Sequence, residues 1–66
     1  MPFSNFDAQT RKVLYDAFDA AWLGLDPANL TDFAATDSKL ARNLLDAAET
    51  GERDPEKLRL AALKGI

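Results

Sequence analysis

"LLDAAETGERDPEKLRLAAL", residues 44–63, reads as helix, sharp corner, helix, and this reading decides the fold class. Ahead of the corner, Leu40, Ala41, Leu44, Leu45 and Ala48 recur at i, i+1, i+4, i+5 and i+8, one apolar face of a helix over about 37–50. Gly51 stands where a left-handed residue closes such a helix. Asp54 and Pro55 then form a cap and first-turn pair, and Glu56 suits the positive end of the helix that follows. That helix, about 55–64, carries Leu58, Ala62 and Ile66 on one line with Leu63 beside it, and Lys64 near its negative end. The connection "GERD" is as short as corners between antiparallel helices usually are.

Toward the N-terminus, "AQTRKVLYDAFDAAWL" runs without Gly or Pro and predicts a helix over 8–23, capped by Asp7 or, alternatively, started from Ser4. At about 100° per residue, Val13, Ala17, Ala21, Leu14, Leu25, Phe18, Trp22 and Tyr15 fall on one side. Asp16, Asp19, Lys12 and Gln9 fall on the other. The apolar arc spans ~200°, against the ~100° stripe that one neighbour covers. Such a helix touches two neighbours and still keeps apolar flank to spare. Gly24 ends it, and Asp26–Pro27 could start one further helical turn near 27–34. Thr31, Asp32, Thr36, Asp37 and Ser38 compete with the backbone for hydrogen bonds, so a fresh start capped at Thr36 or Asp37 is expected. A single longer helix from Thr31 is the alternative.

Composition sets the scale. Sixty-six residues make one domain, 1–66, and a chain this short buries only ~60% of its unfolded surface. No cysteine is present to staple it, and twelve of its hydrophobic residues are alanine, which lets helices approach but adds little apolar area. Self-association is therefore an expected supplement to the core. The opening "MPFSNFDAQTRK" has neither a basic nor an apolar signal region, and no apolar run nears the ~20 residues that cross a bilayer. The chain is expected in the cytoplasm, away from membrane.

The corner also invites a DNA-binding reading, with Lys57, Arg59 and Lys64 on the third helix and Arg53 in the turn. Glu52, Asp54 and Glu56 occupy the same turn and would repel phosphate. Residues 38–66 hold six basic against five acidic groups, and residues 1–37 hold two against six, so no basic stripe forms. Nucleic acid is an alternative partner, not the expected one. The segments "ARNLLDAAETGERDPEKLRLAAL" and "DAQTRKVLYDAFDAAW" resemble a group of small uncharacterised helical proteins from bacteria, with an Ala-rich helix, a G-E-R-D-P-E corner and a Leu-bearing C-terminal helix. That resemblance implies a helical fold and a bacterial origin, and it carries over no activity or functional residue.

Chemistry is sparsely provided. Asp16 with Asp19, and Asp46 with Glu49, have an i, i+3 spacing that could face a cation. No histidine accompanies them, as bundle metal sites require. Ser4, Ser38 and the threonines lack a histidine to activate them, and no phosphate-binding or nucleophile motif occurs. An enzyme is not expected, nor a cofactor or metal. What remains is an all-α three-helix bundle that associates with protein. The expected interface is Val13, Leu14, Tyr15, Phe18, Ala21, Trp22 and Leu25, paired with a second copy in a homodimer.

Overall fold

The computed structural model describes residues 3–26 and 31–66. Three helices occur among them, α1 (Ala8–Leu23), α2 (Phe33–Glu49) and α3 (Pro55–Ala62), and no strand. Asp7 is extended (φ −68°, ψ 168°) and its Oδ1 accepts the Thr10 N–H at 2.7 Å, so the first helix begins there and not at Ser4. Gly24 closes it, still in right-handed geometry.

The second helix starts at Phe33, three residues before Thr36 and four before Asp37, nearer the alternative start at Thr31. Asp32 takes the cap, its carboxylate accepting the Ala35 N–H at 3.0 Å. Thr36 turns its hydroxyl back onto the Asp32 carbonyl at 3.0 Å, a bond compatible with helix, so the polar run no longer breaks it. A packing contact favours the early start as well, since Phe33 in the new first turn lies against Trp22 at 6.1 Å between ring centres. Of the additional turn expected near 27–34, residues 27–30 lie outside the described residues, while Phe33 and Ala34 belong to α2.

The corner folds as its residues predict. Gly51 takes φ +98°, which only glycine adopts without strain. The Glu52 N–H reaches the Ala47 carbonyl at 3.2 Å and the Gly51 N–H reaches Ala48 at 3.0 Å, the paired closure of a Schellman motif. Arg53 reinforces it by donating to the Ala48 and Glu52 carbonyls, both at 2.8 Å, and lies over the Phe6 ring at 5.7 Å. Asp54 caps α3 and Pro55 opens it. That helix ends at Ala62, two residues short of expectation, and its tail is held from outside. Asn43 donates its amide to the Ala62 and Lys64 carbonyls at 2.9 and 3.0 Å, and the Lys39 ammonium reaches Gly65 at 2.8 Å.

Among the described residues nine are buried: Phe3, Leu14, Ala17, Ala21, Leu40, Leu44, Ala48, Leu58 and Ala62. Alanine on every helix allows close approach, and leucine supplies most of the apolar area. The short α3 packs extensively on both long helices, which touch each other much less. A seam between α1 and α2 is left partly open as a result. Its far end is plugged by Phe3, 1% exposed, whose ring meets Tyr15 edge-on at 5.3 Å. No helix among the described residues is long and apolar enough to cross a membrane.

Candidate interaction surface

The open seam is the most distinctive surface of the molecule. On α1, Tyr15, Phe18 and Trp22 succeed one another at i, i+3 and i+7, rising about 10 Å along the helix axis. Phe18 meets Trp22 edge-on at 6.5 Å, and Trp22 stacks on Phe33 at 6.1 Å with 26° between the rings. The stack is only half covered, since Trp22 is half-buried and Phe33 is 52% exposed. Beside it lies a cleft of about 300 Å³ lined by Phe3, Tyr15, Phe18 and Ala41, with Asp19 on one bank and Asp37 on the other. Both carboxylates are exposed, and neither makes an ion pair or side-chain hydrogen bond among the described residues.

The seven residues expected at the interface divide into three groups. Leu14 and Ala21 are wholly enclosed by their own protomer, so no partner can touch them, which corrects that part of the expectation. Their position explains it: they form the centre of the arc, where α2 and α3 close over it. Val13 emerges on the opposite margin, near Gln9, Thr10 and Arg53, and is separated from the seam by the buried strip. Tyr15, Phe18 and Trp22 are half-buried and lie together on the seam, and Leu25 is half-buried against the core. The wide arc is thus partly covered by a third element, the N-terminal segment.

Sequence reasoning did not assign Phe3, Phe33, Asp37 or Ala41 to this surface, and it set Asp19 on the side of α1 opposite the apolar arc, whereas the structure brings Asp19 to the bank of the cleft beside Tyr15 and Phe18. Asp37 follows Phe33 by four residues and precedes Leu44 by seven, which places it in phase with the core face of α2. Read as a cap, Asp37 was not assigned to a face of that helix. Phe3 stands in a segment without periodicity and offered no such signal.

Elsewhere the charged groups serve the fold. Lys12 pairs with Asp16 at 3.2 Å on an exposed face. Arg59 pairs with Glu56, holding the Glu56 carboxyl below its ordinary range, through the hydrogen bond first and the charge second. Thr10 holds Asp7 low in the same way, by side-chain and then backbone hydrogen bonds, with Arg53 and Arg11 adding smaller attractions. Arg53 and Arg59, two of the four cations considered for DNA contact, are therefore engaged within the chain. Among the described residues no group of three or more His, Cys, Asp or Glu is placed to hold a metal ion. Compared with models of protein families, with curated proteins and with solved structures, the chain matches none.

Proposed function

We propose that this chain is a small helical module acting through protein–protein association, with the aromatic seam of α1 and the first turn of α2 as its working surface. The half-covered stack of Trp22 on Phe33 carries the reading. Large aromatic rings at a surface are the side chains from which interfaces draw most of their binding energy, and a core this small would profit from covering them.

Pairing with a second copy is the simplest form of association, and two-fold symmetry is the commonest arrangement. It meets an obstacle here. In a two-fold interface the same patch faces itself, so the banks bearing Asp19 and Asp37 would meet banks of the same sign. A different chain is therefore the better occupant. Sedimentation at micromolar concentration separates these forms, with a 7.2 kDa species expected throughout. The reading itself is tested by comparing the protein with its Phe33→Ser variant in capture experiments, with far-UV circular dichroism to verify helix content. Partners retained by the parent and lost by the variant are expected. Equal capture by both would remove the seam from consideration.

A further inference from the structure

We infer that the seam receives a cationic protein segment, an arginine or lysine flanked by apolar residues, with the cation held between Asp19 and Asp37 and the apolar neighbours on the Trp22–Phe33 stack. This rests on the association reading and adds the chemistry of the partner. Charge complementarity is its first support: two carboxylates with no ion pair among the described residues border one cleft from two different helices. Four of the chain's eight cations are engaged elsewhere, Lys12 with Asp16, Lys39 with Gly65, Arg53 at the corner and Arg59 with Glu56. The lining is the second support. Tyr15 and Phe18, both half-buried, offer aromatic rings, to which a guanidinium or ammonium is attracted beyond the pull of the carboxylates. Size is the third. About 300 Å³ lies at the lower end of the ~300–1,000 Å³ range of ligand pockets, room for one or two long side chains. The adjoining exposed stack gives the residues beside the cation an apolar place to rest.

The probe is a short helical peptide of leucine and arginine, compared with the same peptide carrying glutamate for arginine. Binding is followed by the fluorescence of Trp22, the single tryptophan. The basic peptide should bind at least about tenfold tighter than the acidic one, and more weakly as salt rises. Asp19→Lys with Asp37→Lys should lower its affinity about tenfold and shift preference to the acidic peptide. Asp46→Lys with Glu49→Lys changes the net charge equally on exposed positions of α2 away from the seam, and should leave affinity within about twofold. Far-UV circular dichroism verifies that both variants fold.

If both peptides bind alike, or both double variants weaken binding alike, the acidic banks select nothing and the inference falls while association stands. If neither peptide binds and the protein sediments as a dimer, the seam belongs to a second copy and the inference falls. If neither binds and the protein stays monomeric, and capture is unaffected by Phe33→Ser, inference and association reading fall together.

Discussion

Gly24 and Gly51 both follow helices, yet their backbones ask for opposite things. Gly51 holds φ +98°, where a Cβ brings strain although nothing lies within 4 Å of it. Gly24 sits at φ −83°, ψ −7°, and an added Cβ would meet only the Ala21 and Ala20 carbonyl oxygens at 3.5 and 3.7 Å, ordinary contacts. Gly24→Ala should therefore stabilise the protein by about 0.4–1 kcal/mol through the unfolded chain, and Gly51→Ala should destabilise it by about 1 kcal/mol or more. Urea denaturation of the two variants measures both signs. The carboxyls of Asp7 and Glu56 make a second prediction at this scale. Each has its folded-state pKa lowered, so its contribution is complete above the unfolded value and disappears as pH falls through the folded one. Thermal melts should be flat near neutrality and fall with acid, and Asp7→Asn with Glu56→Gln should make that fall less steep. Asp7 was legible as a cap because its partner is three residues away; Asn43, whose acceptors lie nineteen and twenty-one residues on, was not.

Helix ends with one strong local signal were readable, and the start of α2 was not, because Asp32, Thr36 and Asp37 are rival caps of the same local kind. The α1 and corner boundaries follow from Asp7, Gly24, Gly51 and Asp54–Pro55, each acting within a turn or two. For α2, local preference allowed a start at Thr36, Asp37 or near Thr31, and tertiary packing of Phe33 on Trp22 accompanies the early one. Asp32→Ala should consequently cost about 1 kcal/mol and loosen the first turn. The near-UV circular dichroism of Trp22 should weaken in parallel, because the turn carries its stacking partner. A variant that lost stability with an unchanged tryptophan signal would uncouple the cap from the seam.

For the whole molecule, the fold class and three-helix count were legible from periodicity, and half of the candidate surface with them. Tyr15, Phe18 and Trp22 came from the arc on α1 and Ala41 from the apolar face of the second helix, while Phe33 and Asp37 depended on where α2 starts. Phe3 belongs to this scale too. Truncating a buried phenylalanine costs about 3–5 kcal/mol. A domain of this length has only about 3–10 kcal/mol in total at 0.05–0.15 kcal/mol per residue. Phe3→Ala should therefore remove about a third or more of the stability and lower the melting temperature sharply, and Phe3→Leu should restore much of the loss, as thermal melts would show.

The shortest helix is the one on which both longer helices rest. Eight residues have almost no helical tendency in isolation, and Asn43 ties the far end of α3 to the middle of α2. Release of α3 would uncover Leu58 and Ala62 and strip the partner from both neighbours in one event. Its amide protons should accordingly exchange with deuterium only when the entire chain opens, at the same free energy as those around Leu14 and Leu44, with no partially opened species between.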